Sequence, residues 1–143
     1  MSENMNVAAL LENVNVSPEV LTDRGAFIQA VRQGIPGLAV KQAVAVLGER
    51  ELFIRLLDTT SANLSRFYRK KALTRADSEE VLDTLRLFQY AVTAFEDKEI
   101  AQEWLHTRIP ALAGERPVDL FDTFEGRTLV RESLRAIEYG EFS

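Results

Sequence analysis

The chain carries one histidine, no cysteine and 22 aspartates and glutamates among 143 residues, and these bound the chemistry its side chains can perform. His106, between Leu105 and Thr107, has no second imidazole and no thiolate with which to share a metal or relay a proton. Its setting suits a surface or helix-capping residue. Asp23, Asp77, Glu80 and Asp97 stand at expected helix starts, where the peptide dipole favours negative charge. No glycine-rich phosphate loop, nucleophile elbow or metal-ligand spacing occurs. The residues favour recognition over catalysis, with no cofactor and no metal site expected.

A chain of this length holds one domain or two small ones and can bury a core without disulfides, which the lack of cysteine excludes. Apolar residues at 46% and charged residues at 27% predict a soluble folded protein. No apolar run approaches the roughly 20 residues needed to cross a bilayer. The N-terminus lacks a basic region and a cleavage site, so a cytoplasmic protein is expected. A net charge of −5 argues against a protein that coats nucleic acid with its whole surface. The charge is unevenly placed: residues 50–75 hold seven basic and two acidic side chains, residues 96–143 six basic and eleven acidic. A basic middle and an acidic end suggest two different partners.

The elements that position these groups are helical throughout. Residues 1–22 mix short apolar pieces with Asn, Glu and Ser and read as a mobile arm. Thr22 or Asp23 can cap a helix through Phe27, Ile28 and Val31 that ends at Gly34. After the turn Ile35-Pro36-Gly37, the spacing Val40, Ala43, Val44, Leu47 predicts a second helix closed by Gly48. A short helix over 51–57, a break at Asp58-Thr59-Thr60 and a polar, basic helix capped by Thr60 or Ser61 form a helix-turn-helix pattern. Asp58 stands where such turns often carry glycine; aspartate tolerates the left-handed conformation better than most residues. Asp77 and Glu80 have capping-box spacing and open the longest helix. Its stripe of Val81, Leu85, Phe88, Val92 and Phe95, widened by Leu82, Leu87 and Tyr90, is broad enough to serve a dimer as well as a core.

Beyond that helix lie Ile100, Trp104 and Leu105, a turn built on Pro110, Gly114 and Pro117, and a short unit over 118–122. A last helix then sets Val130, Leu134 and Ile137 on one face. Trp104, Leu120, Leu134 and Ile137 are expected core residues; Gly114 and Gly126 are expected to serve backbone geometry. The ordered run Trp104-Leu105, Pro110-Ala111-Leu112, Gly114, Pro117, Asp119-Leu120, Glu125-Gly126, Val130, Leu134 and Ile137-Glu138-Tyr139-Gly140 resembles the toxin-binding domain of Xre/MbcA/ParS-type bacterial antitoxins. The resemblance covers about the last third of the chain. One departure is Ala113, at a position where glycine is expected.

The resemblance implies an all-α protein: an N-terminal Xre-like helix-turn-helix bundle over 23–76, then a small helical toxin-binding and dimerisation domain over 77–143. It implies an antitoxin that neutralises a cognate RES-type toxin, a class similar in fold to ADP-ribosyltransferases and acting on NAD, and that represses its own operon as a homodimer. The alternative is a dimeric helix-turn-helix regulator with no toxin partner. Expected DNA contacts are Ser61, Asn63 and Arg66 to bases and Arg69, Lys70 and Lys71 to phosphates. Expected toxin contacts are Trp104, the turn residues Pro110, Leu112, Gly114, Glu115, Arg116 and Pro117, and the segment Tyr139, Gly140, Glu141, Phe142 and Ser143, which is expected to block the toxin's active site.

Overall fold

The computed structural model describes residues 10–140, and every regular element among them is helical. In chain order these are α1 (Pro18–Thr22), α2 (Arg24–Gln33), α3 (Gly37–Leu47), α4 (Arg50–Leu56), α5 (Leu64–Tyr68), α6 (Arg75–Phe95), α7 (Lys98–Leu105), 3-10 turns at Pro110–Leu112 and Pro117–Leu120, and α8 (Phe124–Glu138). A lone antiparallel bridge joins Ile109 and Glu115. No helix among the described residues is long and apolar enough to cross a membrane. The described residues divide into two compact units, one of residues 11–86 and one of residues 87–140 together with Leu10. The division falls inside α6, ten residues later than the boundary expected at Asp77.

Local chemistry sets most helix ends. Asp23 caps α2 by accepting the Ala26 N–H at 2.8 Å, and Gly48 ends α3 in the left-handed region with its N–H on Val44 O. Asp58 adopts φ 50°, the conformation the turn after α4 requires. Two expectations shift. Residues 10–22 are not a loose arm: Leu10, Val14 and Leu21 are buried and Pro18 starts α1. The long helix begins at Arg75, because Thr74 rather than Asp77 caps it; Thr74 Oγ1 accepts the Asp77 N–H at 3.1 Å.

In the first unit, α3 and α5 meet where Gly37 has no side chain: a Cβ there would stand 1.8 Å from the Phe67 carbonyl oxygen. The Gly37 N–H donates to Lys70 O at 2.9 Å. The start of α6 is tied in by Ser78, whose buried hydroxyl accepts the Ile35 N–H at 3.0 Å. In the second unit, Phe88 and Phe121 meet with ring centroids 4.7 Å apart, and Ala101, Leu105, Leu112, Val118, Val130 and Leu134 complete the core. Along α6, Val81, Leu82, Leu85, Leu87, Phe88 and Val92 are all at most 1% exposed within the single chain. Tyr90 and Phe95, the remaining members of the expected stripe, stay partly exposed.

Candidate functional site

The second unit is built to present a surface. Asp97 caps α7 by accepting the N–H groups of Glu99 and Ile100 at 2.8 and 3.0 Å. This sets Ile100, Glu103, Trp104 and Thr107, with Phe95, around a shallow depression of about 250 Å³. Trp104 is half-buried, its ring 5.5 Å from that of Phe95. The expected core tryptophan is thus one wall of an open apolar slot. His106 Nδ1 lies 2.7 Å from Gln102 O and the Thr107 hydroxyl donates to Glu103 O at 2.7 Å, so both finish the helix end.

The following turn is a closed knob. Ile109 N–H donates to Glu115 O and Gly114 N–H to Ile109 O, both at 3.1 Å, while Arg108 Nη1 donates to Gly114 O at 3.2 Å. Pro110, Ala111, Ala113 and Glu115 are exposed on it. Ala113 takes φ 59° and ψ 29°, left-handed as the glycine expected there would be. Of the expected contacts, Leu112 and Pro117 are buried in the single chain, because the knob closes by packing them inward. Arg116 is half-exposed, but Asp119 holds its guanidinium through two bonds of 2.8 and 2.9 Å.

Thr123 caps α8 by accepting the Gly126 N–H at 2.9 Å. The same first turn buries Arg127 to 2% exposure, with Nη1 donating to Phe121 O at 2.8 Å. Val130 and Leu134 are buried as expected, but Leu120 and Ile137 are only partly covered. The opposite face carries side chains that residue-level reasoning missed. Phe124 is 67% exposed and Leu129 is also exposed, alongside Glu125, Glu132 and Arg135. Their signal was available: neither residue shares the Val130–Leu134–Ile137 stripe. At the far end of α8, Tyr139 is 69% exposed, Glu138 Oε1 accepts the Tyr90 hydroxyl at 3.1 Å, and Gly140 turns left-handed at φ 70°. The expected contacts Glu141, Phe142 and Ser143 lie outside the described residues.

In the first unit, the expected recognition helix is shorter than its sequence suggested. Residues 61–63 form a turn, and α5 has five residues. Thr60 Oγ1 accepts the Asn63 N–H at 3.2 Å, while Arg50 holds both the hydroxyl and the carbonyl of Ser61 at 2.7 and 3.0 Å. The helix ends at Tyr68 because Lys70 N–H donates back to Phe67 O and the Lys70 carbonyl is taken by Gly37. Ser61, Asn63, Arg66, Arg69, Lys70 and Lys71 are all exposed, so the basic group shares one surface stretch. Lys70 Nζ also sits 4.4 Å above the Phe67 ring.

Residues 91–140 match the family described as antitoxin Xre/MbcA/ParS C-terminal toxin-binding domain. The match lies inside the second unit and includes the slot, the knob and α8. Over 127 residues the chain is 28% identical to a protein of Sphingobium sp. (strain YBL2) named Prs ADP-ribosylating antitoxin, spanning 81% of this chain and 80% of that one.

Proposed function

We propose, for a chain that belongs through residues 91–140 to the Xre/MbcA/ParS antitoxins, that its second unit closes the active site of an NAD-consuming toxin of the RES type. A cognate toxin is the partner a toxin-binding domain implies, and such a protein works by binding rather than by catalysis. The relative's name links its antitoxin to ADP-ribosylation, a reaction that consumes NAD, which supports this class of toxin. A site for NAD must hold a pyrophosphate, which calls for Arg or Lys, beside an apolar slot for nicotinamide.

The observation that carries the reading is the end of α8. Tyr139 stands out from the helix end and Gly140 takes the left-handed conformation immediately after it; Glu141, Phe142 and Ser143 follow in the sequence. Carboxylates paired with Arg make strong directional contacts, and a buried aromatic ring supplies a large share of interface energy. In this reading Tyr139 to Ser143 plugs the toxin's site, while the knob at Pro110–Glu115 and the Trp104 slot dock the body. Deleting Gly140–Ser143 is expected to leave folding and DNA binding intact but to abolish protection when the toxin of the same operon is co-expressed. Full protection by the shortened chain refutes the plug and leaves the docking surface to account for inhibition.

The first unit suits operator DNA. Its exposed Arg66, Arg69, Lys70 and Lys71 supply phosphate and base contacts, and repression of the chain's own operon is the role this supports. A palindromic operator calls for two copies of the chain. A homodimer would bury apolar surface, such as the exposed Ile28 and Leu38.

A further inference from the structure

Resting on the plug reading, we infer that Tyr90 is a positioning residue for the toxin-facing segment, its hydroxyl pinning the last turn of α8 through Glu138 at 3.1 Å. Apolar burial along α8 runs out before that turn: Val130 and Leu134 are buried, Ile137 is partly covered, and Glu138, Tyr139 and Gly140 are exposed. Main-chain bonds of Tyr139 to Arg135 O and of Gly140 to Ile137 O hold the turn to its own helix but not to the rest of the unit. The Tyr90–Glu138 bond does that, linking α6 to α8 across 48 residues of sequence.

The bond keeps its donor across the physiological pH range. Burial, and then the bond to the Glu138 carboxylate, push the Tyr90 hydroxyl above its ordinary pKa, so it stays a protonated donor at neutral pH. Arg135 and Tyr139 also act electrostatically on this hydroxyl, which places Tyr90 in the surroundings of the projecting ring. A segment fixed before binding loses less conformational freedom when it binds. The tether therefore contributes to affinity without Tyr90 touching the toxin.

Two measurements on Tyr90→Phe, which keeps the ring and removes the donor, test this. In the free chain, hydrogen exchange at the Tyr139 and Gly140 amides is expected to quicken several-fold while Val130 and Leu134 stay unchanged. Unchanged exchange at all four, or faster exchange at all four, overturns the inference, the latter by showing a general structural role. With the purified toxin from the same operon, Kd is expected to rise roughly three- to tenfold, the worth of one hydrogen bond. Glu138→Gln, which keeps an acceptor, should retain most of the affinity. In a chain lacking Tyr139–Ser143, Tyr90→Phe should change nothing further. If the deletion costs affinity but Tyr90→Phe does not, the positioning role is wrong and the plug stands. If the deletion costs nothing, the plug itself is wrong.

Discussion

Gly126 offers the sharpest test of how the second unit is held together. A Cβ added there would stand 1.8 Å from the Leu120 carbonyl oxygen and 2.9 Å from Thr123 Oγ1. The first obstacle is backbone and cannot swing aside, so α8 and the second 3-10 turn must separate. Over-packing of this kind costs about 1–3 kcal/mol. The second contact disturbs the Thr123 cap on the Gly126 N–H, worth about 1 kcal/mol. Alanine's better helix propensity returns about 1 kcal/mol. Gly126→Ala should therefore destabilise the second unit by roughly 1–3 kcal/mol. Because Leu120 adjoins Phe121, which packs on Phe88 and accepts from Arg127, the displacement reaches the centre of that unit. Trp104 is the only tryptophan and lies in the same unit, so its fluorescence during urea unfolding reports this unit selectively. The midpoint should fall by about 1 M, given a urea slope of about 1–3 kcal/mol per molar. The DNA binding proposed for residues 11–86 should be unaffected. A loss under about 0.5 kcal/mol would show that α8 and the turn are not locked by this contact.

Other substitutions probe single features. Ala113→Gly should raise stability by about 0.5 kcal/mol in thermal unfolding, since left-handed alanine costs about 1–2 kcal/mol and glycine's added chain entropy about 0.5–1; a decrease would contradict the strained turn. In operator binding, Arg66→Ala should cost about 1–3 kcal/mol and relax sequence choice, whereas Lys70→Ala should weaken all sequences and flatten the salt dependence. Footprinting without a protected palindrome upstream of the operon would sink the DNA role. Tyr90 has a folded pKa above its ordinary 10.0, so its contribution is complete below about pH 10 and is lost as pH rises through the folded value. Wild type should accordingly lose its stability advantage over Tyr90→Phe only above about pH 10, read from urea midpoints along a pH series; loss near neutrality would mean another group is responsible.

Features decided within a few residues of chain were legible in the sequence. The caps at Asp23 and Asp97, the left-handed stops at Gly48 and Asp58, the spare glycine geometry at Gly126 and the helix-ending role of His106 all depend on near neighbours. The order of motifs from Trp104 to Gly140 was equally readable, because each turn residue answers a local backbone demand. Burial was harder to read, because a period of 3.6 marks a face without saying what covers it. The α6 stripe shows this: its width is plain in sequence, yet only the folded chain shows that Val81, Leu85, Phe88 and Val92 are buried while Tyr90 and Phe95 stay partly exposed. Where α6 begins was misread too: Asp77 has capping-box spacing with Glu80, yet Thr74 caps the helix three residues earlier. The long-range bond from Ile35 N–H to Ser78 and that from Leu73 N–H to Ile35 O bind the flanking segment in place. Arg127 had no signal at all: a long cation reads as surface until its guanidinium meets the Phe121 carbonyl inside the unit. Trp104 misleads in the opposite sense, its size promising a core while packing leaves it beside Phe95 at the rim of a slot. Local bonds set each element's ends, whereas contacts between residues distant in sequence decided which faces closed on the core and which stayed free for a partner.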